Sequence, residues 1–124
     1  MKIFSLDEAN ALIPHVRTTL ERIQKLYSVI GGFRESAKEA AIASEFGGGM
    51  EGGTKYVKSL YEVGKLTTEL HSMGVQLKDY SRGLVDFPSM RDDRVVLLCW
   101  QIGEGDEIEW WHDIEAGFAG RQPL

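Results

Sequence analysis

The chain has 124 residues, of which 43% are hydrophobic and 27% charged, which is ordinary for one soluble globular domain. It has no apolar run of about eighteen residues, so no membrane span is predicted, and MKIFSLDEAN at the start lacks the apolar core of a signal peptide. Its single cysteine cannot form an internal disulfide. We therefore expect a cytoplasmic protein, because a lone thiol fits a reducing compartment.

The net charge of −5 is concentrated in the C-terminal part of the chain. Residues 1–74 carry nine basic and nine acidic side chains, whereas residues 75–124 carry five basic and ten acidic ones. An acidic surface repels a nucleic-acid backbone, and no helix gathers Lys and Arg on one face. The sequence therefore predicts no nucleic-acid partner. A solvated acidic surface and a site for a cation or basic partner are both compatible with this charge.

The first half of the chain begins with helical signals. Ser5 and Glu8 form a capping box, in which each residue's side chain accepts a hydrogen bond from the other's backbone amide. Pro14 lacks an amide hydrogen, so we expect a short helix over 6–13 and then a kink or a fresh start. Apolar residues spaced alternately by four and three follow, which predicts a helix over 14–45.

A second helix is predicted after the glycine-rich segment 47–53. Its apolar seam starts at Tyr56, and Gly74 suits the left-handed residue that ends a helix. Two such helices joined by a flexible tip form an antiparallel hairpin. The hairpin is longer than one small domain needs, so we expect a homodimer in which a second copy covers the rest.

From Gly74 onward the periodicity changes from 3.6 to 2, which is typical of strands. Alternation begins over residues 75–79, and a continuous apolar strand is predicted over 94–102 with a further strand over 108–112. Asp92-Asp93 and residues 103–106 have the composition of hairpin turns with two and four residues.

The predicted fold class is therefore α+β in a single domain over residues 1–124. A long antiparallel helical hairpin (1–74) is followed by a three- to four-stranded antiparallel β-meander and a glycine-hinged C-terminal tail (75–124).

The two predicted turns set the strand register. They place Asp86 opposite Cys99, Cys99 opposite Trp110, and Leu97 opposite His112. Because side chains alternate between the two faces of a sheet, Asp86, Cys99, Trp110 and His112 share one face. The opposite face carries Phe87, Leu98, Trp100, Glu109 and Trp111.

The shared face offers ligands for a metal. A carboxylate, a thiol and an imidazole from Asp86, Cys99 and His112 suit a divalent ion such as zinc. A bend after His112 would create a second set with Asp113 and Glu115. Two alternatives are a Cys99 thiolate activated by His112, and a purely structural group in which Cys99 is core and His112 bonds Asp86.

A ligand other than a metal is a further hypothesis, with Arg82, Asp86, Trp100, Trp110 and Arg121 as candidate contacts. Guanidinium groups bind carboxylates or phosphates. The leading interpretation pairs the arginines with acids of the chain, and a small anion or phosphorylated ligand is the alternative. Trp100, Trp110 and Trp111 are the largest apolar surfaces, and both faces of the strands are apolar. The helical hairpin can cover one face, and the C-terminal tail, a second subunit or a ligand must cover the other.

Several segments resemble one known family. They are FSLDEANALIP, GVQLKDYSRGLVDFP, VVLLCWQIGE, WWHD and GFAGRQPL. They are similar to the uncharacterised bacterial and archaeal proteins grouped as domain of unknown function 2203. The resemblance covers essentially the whole chain and departs from the family only in its glycine-rich helical tip. It implies no activity, cofactor or catalytic residue.

Two functions are therefore predicted. The first is a homo-oligomeric binding or interaction protein that uses the tryptophan-rich sheet face, with a second copy, a small molecule or another protein as partner. The alternative is a metal-dependent protein, such as a hydrolase, with its site around Asp86 and His112, where the ion would activate a water molecule. No ligand, reaction or pathway follows from the sequence.

Overall fold

The computed structural model describes residues 1–43 and 53–124. In this part of the chain two helices precede a five-stranded antiparallel sheet. The helices are α1 (Leu6–Ala43) and α2 (Gly53–Ser72), and the strands are β1 (Gln76–Asp79), β2 (Leu84–Arg91), β3 (Arg94–Gln101), β4 (Trp110–Asp113) and β5 (Gln122–Pro123). The strands lie in chain order. The predicted α+β fold is confirmed, with five strands in the sheet. Among the described residues, no helix is long and apolar enough to cross a bilayer.

α1 runs without interruption through Pro14, so the predicted helix end at residue 13 and the fresh start at Pro14 are wrong. Ala9, Ile13 and Val16 are all fully buried and form one stripe that continues on both sides of the proline. Pro14 itself is exposed. A proline inside a helix costs about 3 kcal/mol, and burial of this stripe exceeds that cost at roughly 1.5–3 kcal/mol per large side chain. Tertiary packing therefore holds the helix together.

The other helix-end predictions that fall on described residues are confirmed. Ser5 Oγ accepts a hydrogen bond from the Glu8 amide at 3.0 Å, and Glu8 Oε1 accepts one from the Ser5 amide at 3.0 Å. At the end of α2, Gly74 has φ of 89°, and the Val75 amide donates back to the Leu70 carbonyl at 3.0 Å. Two further predictions lie outside the described residues. They are the helix end at 45 and the flexible tip over 47–53, of which only Gly53 is described.

Gly74→Ala is expected to destabilise the fold by about 2–3 kcal/mol, because a positive φ costs a non-glycine residue about 1–3 kcal/mol. The added Cβ would also lie 2.8 Å from Lys2 Cβ. Urea unfolding measures the change. Gly31→Ala in α1 is the control, since its Cβ would meet nothing within 4 Å, and it should gain about 1 kcal/mol. Equal effects of the two substitutions would contradict this account.

The β2–β3 hairpin has the predicted turn. Asp92 and Asp93 have φ of 51° and 60°, and positive φ at both central residues is the signature of a type I′ turn. Arg91 pairs with Arg94, and the ladder continues to Leu84 opposite Gln101 without a shift. The predicted register of this hairpin is confirmed.

The loop from β3 to β4 differs from the predicted four-residue hairpin turn over 103–106. Ile102 forms an isolated bridge with Glu104, and the next strand starts at Trp110, so Ile108 lies outside it. The predicted strand over 108–112 therefore begins two residues before β4 does in the structure. The pairing of β3 with β4 nevertheless has the predicted register, including Cys99 opposite Trp110.

Contacts with α1 explain this loop. The Ile108 amide donates to Asn10 Oδ1 at 2.7 Å, so it is not free to extend the ladder with β3. The Gly105 carbonyl accepts from the Trp100 indole at 2.9 Å and from Arg17 Nη2 at 3.2 Å. The loop is thus bound to the helix, and the sequence alone does not reveal partners so distant along the chain.

One face of the sheet packs against the helices and forms the main core. Its buried strand residues are Val85, Phe87, Val96, Leu98, Trp100 and Trp111, which join α1 residues and Leu70 of α2 in one hydrophobic cluster. The opposite face carries the polar residues that the register brings together.

Candidate metal centre

Three neighbouring strands bring an aspartate, a cysteine and a histidine together. Asp86 of β2 lies directly opposite Cys99 of β3, and His112 of β4 lies opposite Leu97, two residues from Cys99 on the same face. Asp86, Cys99 and His112 are 2%, 0% and 2% exposed, respectively. One potential ligand atom from each lies within 4.8 Å of the others. We call this group the Asp–Cys–His cluster.

The hydrogen bonds of His112 fix the orientation and the tautomer of its ring. Nδ1 lies 2.8 Å from the Asp113 carbonyl oxygen. A carbonyl only accepts, so Nδ1 carries the hydrogen. Nε2 lies 3.1 Å from Asp86 Oδ1, a contact that needs either one shared proton or a cation held by both atoms. The ring therefore directs Nε2 to the carboxylate of Asp86.

Cys99 is held as a neutral thiol. Burial raises the pKa of its thiol to about 12, and the negative charge of Asp86 acts in the same direction, whereas Arg121 opposes both effects. A thiol with this pKa has almost no thiolate at neutral pH. The protein environment therefore opposes the activated nucleophile considered from the sequence.

The C-terminal segment lies against the Cys99 side of the cluster. Arg121 Nη1 is 3.9 Å from the Cys99 sulfur and donates to both carboxylate oxygens of Glu104 at 3.1 and 3.0 Å. The Arg121 guanidinium also lies 4.8 Å from the ring of Trp110 and 4.3 Å from that of Phe118. The Arg121 and Glu104 side chains are only 13% and 17% exposed, so this pair shields the cluster from solvent.

The residues predicted to bind a non-metal ligand separate into two places. Arg82 contacts the Phe118 ring at 3.9 Å, so it belongs to the same surface as Arg121. Trp100 does not, because it is fully buried on the opposite face, and Trp111 is only 5% exposed. The two tryptophans of this face, Trp100 and Trp111, are therefore part of the core.

The second predicted metal set is not assembled. Asp113 pairs with Arg94 Nε at 2.8 Å, and it points to the opposite face from His112 because neighbours on a strand alternate. Glu115 is exposed beyond the end of β4. Over residues 1–43 and 53–124, the Asp–Cys–His cluster is the one group of three or more such side chains with metal-ligand spacing.

Glu104 is a residue that sequence reasoning missed. The sequence pattern indicates only that Glu104 lies in a turn, yet its carboxylate also accepts a hydrogen bond from the Gln101 amide at 2.8 Å. The available signal in the sequence is an acidic residue two positions after the predicted apolar strand 94–102. Its pairing with Arg121 depends on the path of the tail, which no local pattern specifies.

The protein is an α+β protein with an antiparallel sheet. One face of the sheet packs against a helical hairpin, and the other face carries the buried Asp–Cys–His cluster. The chain belongs to the family described as Uncharacterized conserved protein (DUF2203), whose model matches residues 2–124. The resemblance identified from the sequence is thereby confirmed. Comparisons with curated proteins and with solved structures found no match.

Proposed function

We propose that this protein binds one divalent transition-metal ion of the zinc class through Asp86, Cys99 and His112. The observation that carries the proposal is the convergence of an oxygen, a sulfur and a nitrogen within 4.8 Å of one another. Zinc–ligand bonds of about 2.0–2.3 Å separate tetrahedral ligand atoms by about 3.3–3.7 Å. Small side-chain rotations are therefore enough to close the cluster around an ion.

The types of ligand select the class of metal. A thiolate and an imidazole favour zinc and similar transition metals, whereas magnesium and calcium prefer sites made of oxygen ligands alone. The bond from His112 Nδ1–H to the Asp113 carbonyl is the kind of outer contact that orients a ligand histidine and leaves Nε2 for the metal.

Charge balance also supports a dication. A bound ion replaces the thiol proton, so Cys99 and Asp86 each contribute one negative charge. Two negative ligands and one doubly charged ion make a neutral group, which is tolerated in a site where an isolated charge would be very costly. In the metal-free protein, burial raises the pKa of the Cys99 thiol. A bound dication would lower this pKa, because it stabilises the thiolate directly.

Because the cluster is buried, a bound ion would stabilise the fold rather than catalyse hydrolysis. Three protein ligands leave one position of a four-coordinate ion for a water molecule, but metal-assisted hydrolysis also needs the substrate to reach that position. Here the three ligands are at most 2% exposed, and the Arg121–Glu104 pair lies over Cys99. An ion bound to Asp86, Cys99 and His112 would instead link β2, β3 and β4.

Protein purified without a metal-affinity tag is expected to contain about one zinc per chain by elemental analysis. Free zinc at about 100 times the dissociation constant should stabilise the metal-depleted protein by about 2.7 kcal/mol, seen as a rise in melting temperature. Cys99→Ala should abolish the rise and Asp113→Asn should keep it, because the Asp113 carboxylate points away. Absence of copurified metal, together with an unchanged melting temperature, contradicts the proposal.

A further inference from the structure

The Asp–Cys–His cluster is closed to solvent although it lies on the sheet face away from the helical hairpin. Asp86, Cys99 and His112 are at most 2% exposed. A metal site needs an entry path, so an ion or any other reagent reaches this cluster only after part of the protein moves. The segment that covers this face therefore controls access to the cluster.

The C-terminal segment lies over this face. Residues 117–124, which we call the C-terminal strap, contain a 3-10 helix (Phe118–Gly120) and β5. Arg121 Nη1 lies 3.9 Å from the Cys99 sulfur and donates to both carboxylate oxygens of Glu104. The strap thus contacts the cluster directly and is joined by an ion pair to the end of β3.

Aromatic rings keep Arg121 in this position. Its guanidinium lies 4.8 Å from the centroid of the Trp110 ring and 4.3 Å from that of the Phe118 ring. The guanidinium of Arg82, in the turn before β2, lies 3.9 Å from the same Phe118 ring. The strap is therefore held closed by an ion pair and cation–π contacts, which can break and form again without any change in the core.

The strap itself contributes little to the apolar core. Residues 117–124 supply no member of the main hydrophobic cluster of the described chain. β5 has only two residues, both exposed, and the Leu124 amide adds a hydrogen bond to the Glu109 carbonyl at 2.9 Å. At the start of the strap Gly117 has φ of 64°, and glycine changes its backbone angles at low cost. Segments with few buried apolar contacts are those that open locally.

The strands beneath the strap are held much more firmly. β2 and β3 pair along all eight residues of each strand. Their other face carries Phe87, Leu98 and Trp100 into the main core. Separating these strands would unfold the sheet, so movement of the strap is the opening that breaks the fewest contacts.

We infer that the C-terminal strap opens locally about Gly117 and gives access to the Asp–Cys–His cluster while the rest of the sheet stays folded. The inference rests on the proposed function only for what passes, because on that function the strap admits the metal ion and slows its release. Arg121 is then a positioning residue, which holds the strap closed and does not itself bind the metal.

Alkylation of the metal-depleted protein with iodoacetamide, followed by mass spectrometry, measures opening without any metal. Cys99 is the single cysteine of the chain, so the label reports on the cluster alone. Below the unfolding transition, the wild-type rate should depend on urea much less steeply than global unfolding does, because local opening exposes little surface. Arg121→Ala should react at least about 10-fold faster, since hydrogen bonds to charged groups contribute a factor of this size or more.

Arg22→Ala is the matched control for the alkylation experiment. Arg22 also donates to both carboxylate oxygens of a glutamate, Glu62, but this pair joins α1 to α2, so the variant should react at the wild-type rate. Loss of the Arg121 charge by itself would raise the pKa of the Cys99 thiol and slow its reaction. Faster alkylation of Arg121→Ala therefore reports opening of the strap.

Phe118→Ala tests the strap with both charges of the ion pair retained. It removes the ring that contacts two guanidinium groups, and it should speed alkylation by about 5–30-fold. Wild-type rates in both Arg121→Ala and Phe118→Ala overturn the inference. A wild-type rate that follows global unfolding at every urea concentration overturns it as well.

Zinc release separates the strap from the metal proposal. Transfer of zinc from the loaded protein to excess chelator should be at least about 10-fold faster for Arg121→Ala than for Arg22→Ala. Equal release rates overturn control of the metal by the strap. Protein that binds no zinc contradicts the proposed function instead, and the alkylation rates then decide on their own whether the strap opens.

Discussion

Replacing His112 with alanine should destabilise the metal-depleted protein by about 3–5 kcal/mol, because it leaves Asp86 buried without its partner. The imidazole and the carboxylate are 3.1 Å apart, and both side chains are 3% exposed. Removing one member of a buried pair lowers the free energy of unfolding by far more than the intact pair adds to it. The reason is that the remaining group stays desolvated without a partner. Urea unfolding with a chelator present measures the change in free energy.

A double-mutant cycle separates this coupling from simple loss of packing. Asp86→Ala with His112→Ala should cost less than the sum of the two single changes by about 0.5–3 kcal/mol, because neither partner remains unpaired. Asp113→Asn is the control, since its pair with Arg94 is 41% and 49% exposed and such pairs contribute about 1 kcal/mol or less. Additive single effects would show that Asp86 and His112 do not interact.

The second large effect is expected at Trp100, which the structure places in the core. Trp100→Ala should cost about 3–5 kcal/mol, as for other buried aromatic side chains reduced to alanine. Trp100 is fully buried, and its indole donates to the Gly105 carbonyl at 2.9 Å. Chemical unfolding of the variant gives the free-energy change.

Trp100→Phe distinguishes core packing from a ligand role. Phenylalanine keeps most of the apolar volume, and the Gly105 carbonyl retains its bond from Arg17, so the cost should be about 1–2 kcal/mol. The folded variant should bind zinc in the same ratio as the wild type. A negligible cost for Trp100→Ala, or loss of zinc binding in Trp100→Phe, would contradict the placement of this residue away from the cluster.

The cluster could be predicted from the sequence because its position depends on local features. Asp92-Asp93 specifies a two-residue turn, and that turn alone places Asp86 opposite Cys99. Alternation along β4 then places His112 on the same face. Each step involves neighbouring residues, for which turn preference and a period of two are strong signals.

Features that depend on distant contacts could not be predicted in this way. The continuity of α1 at Pro14 requires a buried stripe, and this stripe is covered only once the sheet and Leu70 of α2 pack against it. The start of β4 is delayed because the Ile108 amide bonds Asn10, 98 positions away. The pair between Arg121 and Glu104 depends on how the tail returns along the sheet, since β5 pairs with β4.

Cobalt(II) substitution followed by absorption spectroscopy tests the proposed metal centre most directly, because it reports both the ligands and the geometry of the ion. We predict one cobalt per chain, a sulfur-to-cobalt charge-transfer band in the near ultraviolet and the intense visible bands of a four-coordinate ion, with a water molecule as the fourth ligand. Cys99→Ser should remove the charge-transfer band. A weak six-coordinate spectrum that is the same in wild type and Cys99→Ser would contradict the centre at Asp86, Cys99 and His112.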